Sequence, residues 1–182
     1  MERLLARVPG LAYGYEEALG YCVAPALVRD KDGISALLLL AELAAQLKAA
    51  GTTLLDRLDE LAAQYGVHAT DQLSVRLPSR TEIEAAVSRL VAEPPRALGG
   101  FAVESVEDLS AGASGLPATV GVRLQLAEGG RVVVRPSGTE AKLKGYLEVV
   151  VAVDAGDVGD ARRTAQARLA AVRGDLARAV GL

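Results

Sequence analysis

The sequence predicts a mixed fold between α+β and α/β: a partial α/β unit followed by a domain built on an antiparallel sheet with flanking helices. Two observations predict it. In the first half, one extended stretch is followed by two helix-rich runs, without the alternating strands that a complete doubly wound domain needs. In the second half, short β-rich runs succeed one another across Gly-rich turns, bracketed by helices. The boundary is expected at residues 77/78, because Pro78-Ser79-Arg80 opens a new composition.

Taken in order, Met1 to Pro9 is short and amphipathic and reads as the end of an element. In Leu11 to Val28, Gly14 and Gly20 bracket the adjacent carboxylates Glu16 and Glu17, which suits a loop leaving a strand. Ile34 to Ala50 has neither proline nor glycine and is rich in Ala, Leu, Glu, Gln and Lys, so it predicts a helix capped by Asp32 or Ser35 and stopped by Gly51. Apolar residues surround most of its circumference, so it is expected to be largely buried. Thr52 or Thr53 caps a second helix to about Tyr65, ended by Gly66. His68 to Leu77 reads as extended, with His68 as a hydrogen-bonded loop residue. Thr81 and Glu84 form a candidate capping box for a helix to about Val91. Phe101 to Leu109, Val120 to Leu126, Arg131 to Arg135 and Leu143 to Val151 read as strands, with Glu128-Gly129-Gly130 as a hairpin turn. Ser110 to Pro117 is a Gly/Ala/Ser-rich loop. Asp157 or Asp160 opens a closing helix to about Val180, whose five arginines (Arg162, Arg163, Arg168, Arg173, Arg178) suit a solvated face.

Composition narrows the function classes. Of the 182 residues 51% are hydrophobic but only 3% aromatic, so Leu, Ala and Val must pack the core. A net charge of −3 argues against a nucleic-acid partner, which would favour a basic face. The apolar run Leu37 to Leu40 is too short to span a bilayer, so no membrane partner is expected. Cys22 is the single cysteine, which fits a reducing cytoplasm and a buried structural thiol. No secretory signal pattern stands at the N-terminus.

The chemistry concentrates in Arg135-Pro136-Ser137-Gly138-Thr139-Glu140-Ala141-Lys142, between two strands. An arginine offers a bidentate fork to a phosphate, hydroxyls donate to its remaining oxygens, and a glycine lets backbone N–H groups turn inward as an anion nest. The same residue types also make an ordinary hairpin turn, so residue chemistry alone leaves both readings open. Likewise Glu16-Glu17 also fits a solvated loop pair, and Lys31 a surface ion-pair partner.

The stretch resembles the phosphate-binding loop of the α-D-phosphohexomutases, the phosphoglucomutase/phosphomannomutase family, whose usual form is Arg-(Pro/Thr)-Ser-Gly-Thr-Glu-Pro-Lys. Ala141 stands in place of the last proline. Gly14-Tyr15-Glu16-Glu17-Ala18-Leu19-Gly20-Tyr21, with Asp30-Lys31-Asp32-Gly33 downstream, resembles the family's sugar-recognition loop, closest to the phosphoglucomutase/phosphopentomutase branch. The resemblance implies phosphate contacts at Arg135, Ser137, Gly138, Thr139 and Lys142, and sugar contacts at Glu16, Glu17 and Lys31. Ala18 replaces a serine that touches the sugar in other branches. It also implies the latter part of the family's third domain (residues 1–77) and its whole fourth domain (78–182).

The family's phosphorylated serine, in a Thr-Ala-Ser-His-Asn-Pro-like loop, and its Mg²⁺ loop, Asp-Gly-Asp-x-Asp-Arg-like, have no counterpart in this sequence. No catalytic and no metal-binding residue is therefore expected in the chain. The Mg²⁺ of the intact family enzyme would not bind here, and a sugar bisphosphate would serve as activator or intermediate. The expected partners are a sugar phosphate and the N-terminal mutase domains. The chain reads as the C-terminal portion of an intramolecular phosphotransferase, from a truncated gene or as a fragment, inactive alone. The alternative is a free-standing phosphosugar-binding or mutase-docking module.

Overall fold

The fold is that of a computed structural model, which describes residues 10–16, 19–112, 118–138, 140–154 and 156–181. The contacts divide the chain into two compact units between Leu58 and Asp59.

In the first unit β1 (Gly14–Glu16) and β2 (Gly20–Cys22) form an antiparallel hairpin, with Gly14 opposite Cys22 and Glu16 opposite Gly20. The glycines expected to bracket a loop thus lie in paired strands. Cys22 is buried, as anticipated, with its thiol 3.9 Å from the Val28 carbonyl. Helix α1 (Gly33–Ala49) starts on Asp32, whose carboxylate accepts from the Ile34 and Ser35 N–H groups. It ends before Gly51, which takes φ +76°. The expectation that α1 is largely buried fails: none of its residues is, and Leu37 and Leu38 are 67% and 71% exposed. Its apolar circumference needs a broad surface on several sides, and a hairpin of three-residue strands offers none. Helix α2 (Leu54–Tyr65), within which the division between the units falls, starts with a reciprocal cap, in which Thr53 Oγ1 accepts from the Asp56 N–H and Asp56 accepts from the Thr53 N–H.

The second unit is a two-layer α/β structure. Its sheet runs β3-β8-β7-β6-β5-β4, antiparallel throughout. The strands are β3 (Val67–Arg76), β4 (Ala97–Leu98), β5 (Phe101–Asp108), β6 (Val122–Leu126), β7 (Arg131–Pro136) and β8 (Lys142–Val151). Helices α3 (Arg80–Ala92) and α4 (Val158–Ala179) bury Ile83, Val87, Leu90, Leu169, Val172 and Leu176 in one core with Val132, Val134, Leu143, Leu147 and Val149. β8 alternates buried and half-buried along all its length, so one sheet face lies under helices and the other carries polar groups toward solvent. Gly145 lets α4 approach, since a Cβ there would come within 2.8 Å of Leu176.

Three details differ from expectation. β3 pairs with β8 along ten residues, so it belongs to the second unit, and the division falls at 58/59 where the sequence suggested 77/78. The cap of α3 is Ser79, accepting from the Glu82 N–H, and Thr81 already lies inside the helix. His68 lies in β3, its Nδ1 3.2 Å from Glu148. The arginines of α4 are solvated as expected, several in ion pairs such as Arg168 with Glu128 and Arg162 with Asp59. Among the described residues no single helix is long and apolar enough to cross a membrane.

Candidate phosphate-binding site

β7 ends at Arg135-Pro136 and β8 begins at Lys142, and the segment between is closed by backbone hydrogen bonds. The Ser137 N–H donates to the Lys142 carbonyl (2.8 Å), the Lys142 N–H to the Glu140 carbonyl (2.8 Å), and the Leu77 N–H to the Ala141 carbonyl (3.3 Å). Ser137 is buried, an uncommon place for a polar residue in this chain. Arg135 Nη2 donates to the Tyr146 hydroxyl at 2.8 Å, and Nη1 to the Pro136 carbonyl at 3.4 Å. The guanidinium carbon also lies 5.2 Å from the centroid of the Tyr146 ring. Both polar partners are neutral, so the guanidinium is oriented while its charge stays unneutralised by any carboxylate among the described residues.

Register brings further cations to the same place. Arg135 lies opposite Lys144, and Lys142 opposite Arg76. Strand alternation puts all four on the open face of the sheet. Like charges directly opposite each other destabilise a sheet, so the Arg135–Lys144 pair is a feature that an anion would relieve. Glu140 is the acid that ion-pairs within the group, 2.9 Å from Lys142 Nζ and 3.8 Å from Arg76. Its carboxyl is held below the usual range by Lys142 first, with Arg76 and Lys144 adding to the effect. Gly138 is outside the left-handed region, and a methyl group there would meet nothing within 4 Å. Its contribution here is open space, where a nest-forming backbone turn was expected. Thr139 lies outside the described residues.

The first unit holds the other expected residues. Lys31 Nζ lies 3.4 Å from Glu16 and 3.5 Å from Asp30, whose carboxylate also accepts the Lys31 N–H at 2.7 Å. The two charges support each other: Asp30 is lowered chiefly by that backbone hydrogen bond, and Lys31 is raised chiefly by Asp30, then by Glu16. The Lys31 stem crosses directly over Gly20, where a Cβ would collide with its Cδ. Glu17 lies outside the described residues.

No group of three or more His, Cys, Asp or Glu suited to a metal ion occurs among the described residues. Asp30 is engaged with Lys31 and Asp32 with the start of α1, so these residues do not fit Mg²⁺. Sequence reasoning missed Tyr146, Lys144 and Arg76. Alternation along Leu143–Val151 would have placed Lys144 and Tyr146 with Lys142, but Arg76 is reached only through pairing with a distant strand.

The sequence profile of the phosphoglucomutase/phosphomannomutase C-terminal domain matches residues 75–165, half of the chain. The chain belongs to the phosphoglucomutase/phosphomannomutase family. Among curated proteins of this phosphohexomutase family it is 39% identical to a probable phosphomannomutase of Haemophilus influenzae over 146 residues, 80% of this chain and 30% of that protein. It is 30% identical to a phosphoglucomutase of Staphylococcus epidermidis (81% of this chain, 29% of that protein) and 29% identical to human phosphopentomutase (81% and 27%). The chain thus spans less than a third of the length of these relatives. Its fold matches the open form of pp63/parafusin, a phosphoglucomutase from Paramecium, with a TM-score of 0.65 at 19% identity, over 98% of this chain and 32% of that one.

Proposed function

We propose that this chain is the phosphosugar-binding C-terminal portion of a phosphohexomutase. It would grip the non-reacting phosphate of a sugar phosphate with Arg135, Ser137, Gly138, Thr139 and Lys142, and recognise sugar hydroxyls through Glu16, Glu17 and Lys31. The observation that carries this reading is Arg135, oriented by Tyr146 and left without a carboxylate, beside buried Ser137. Phosphoryl transfer asks a protein mainly for positioning and charge stabilisation, and this chain supplies positioning. The phosphoserine and the Mg²⁺ of the family would come from N-terminal mutase domains, so the chain alone would not interconvert sugar 1- and 6-phosphates. A cytoplasmic location fits a single buried thiol.

Calorimetric titration of a sugar phosphate tests the assignment. Arg135→Lys keeps the charge but loses the fork and weakens binding markedly. Ser137→Ala removes one neutral donor and costs about 0.5–1.5 kcal/mol. Arg162→Ala, on the solvated face of α4, leaves binding unchanged. Unimpaired binding by Arg135→Lys together with a loss in Arg162→Ala would move the site to α4.

One observation favours a second reading, a mutase-docking module without activity: the uncovered apolar surface of α1, with Ile34 81% exposed.

A further inference from the structure

The cations at the β7–β8 loop do not stand empty-handed: the loop carries its own anion. Glu140 reaches Lys142 with one carboxylate oxygen and Arg76 with the other. Lys144, on the same sheet face, adds to the field on it. Three cations, Lys142, Arg76 and Lys144, therefore act on one carboxylate, and that carboxylate belongs to the segment that would receive the phosphate.

Two roles are open to such a residue, and they differ in sign. A carboxylate that holds the loop in shape would be needed for binding, whereas one that merely occupies the cations would oppose it. The hydrogen bonds decide between them. The loop is closed by main-chain groups: the Ser137 N–H to the Lys142 carbonyl, the Lys142 N–H to the Glu140 carbonyl, and the Leu77 N–H to the Ala141 carbonyl. None of these uses the Glu140 side chain, and among the described residues no backbone N–H donates to it. The Glu140 side chain is 45% exposed and its Arg76 partner 71% exposed, so the carboxylate is free to turn toward water. Exposed pairs of this kind contribute little to stability.

We propose that Glu140 is a built-in competitor for the phosphate: it neutralises Lys142 and Arg76 when the site is empty and turns outward when a phosphate dianion arrives. The proposal rests on the reading of the loop as a phosphate site. It adds an affinity-setting residue whose removal strengthens binding. Its use is release, because a ligand that must leave or reorient between half-reactions is poorly served by four uncompensated cations. It also assigns Arg76 to the site, as a cation that becomes available only when Glu140 leaves it.

The test is calorimetric titration of inorganic phosphate into the full chain, comparing the parent with Glu140→Gln, Glu140→Ala and Arg135→Ala. Removing one negative charge a few ångströms from a dianion tightens binding about three- to tenfold at low ionic strength, with the gain shrinking as salt is added. Both Glu140 variants should show it, with an unchanged thermal melt, and Arg135→Ala should abolish binding in either background. Arg135-dependent binding that is unchanged or weakened in both Glu140 variants would overturn the competitor role and leave the phosphate site standing. If phosphate binds neither the parent nor the Glu140 variants, or binds regardless of Arg135, the phosphate-site reading itself fails, and this inference falls with it.

Discussion

Single residues here act through close approach more than through special chemistry. Arg135 was legible in the sequence because its neighbours form a recognisable phosphate loop, but the sequence did not show what aims it. That is Tyr146, on the paired strand, through a hydroxyl at 2.8 Å and its ring face. Gly20 is a second case. It was read as a loop glycine, yet it is a strand residue whose missing side chain makes room for the Lys31 stem. Its φ is outside the left-handed region, so alanine is acceptable to the backbone, but the Lys31 stem must move and Glu16, whose Cβ would lie 3.3 Å from the new methyl, must give slightly. Gly20 is buried, so Gly20→Ala should destabilise the chain by about 1 kcal/mol, the common cost of a point change. It should also pull the Lys31 ammonium away from Glu16 and weaken sugar phosphate binding. Thermal melting and titration of the same sample separate the two effects. A large stability loss would show that the Lys31 stem is a structural strut.

At the scale of elements, helices and strands were legible, while the exposure of α1 was not. The strand read over Leu143–Val151 is β8 (Lys142–Val151), whose burial alternates along its whole length because one face is covered and the other is not. The apolar pattern of α1 was read as burial, because hydrophobicity reports what a helix needs and not what the chain provides. Leu37 and Leu40 are 67% and 51% exposed, so changing both to glutamate removes apolar surface already in contact with water. Leucine and glutamate have similar helix propensities, so the helix itself should persist. The expected outcome is an unchanged far-ultraviolet circular dichroism spectrum and less self-association by light scattering. A double variant that loses helicity would show that these leucines hold α1 in place.

At the scale of the whole molecule, what the sequence concealed is long-range pairing. The run His68–Leu77 was recognisably extended, but its partner, β8, begins 66 residues after β3 ends (142 − 76 = 66), and nothing local announces such a pairing. The same distance hid Arg76 from the candidate site. This pairing makes an expectation about where the chain can be cut. A fragment starting at Pro78 keeps both long helices of the second unit and the β8–β4 ladder, and the composition change there suggests a natural boundary. It would nevertheless strip Val67, Ala69 and Leu73 from the core and expose the full edge of β8. Burial of a valine or leucine side chain is worth roughly 1.5–3 kcal/mol, so losing two such residues and an alanine removes a large part of a typical domain's stability. The α4 surface that rests on β3 would be left open as well. Residues 59–182 should give a cooperative thermal transition, whereas residues 78–182 should melt far lower or aggregate through the exposed β8 edge. Scanning calorimetry of the two fragments decides the matter. Equal melting temperatures would mean that β3 is an accessory strand and that the unit's stability resides in the ladder from β8 to β4.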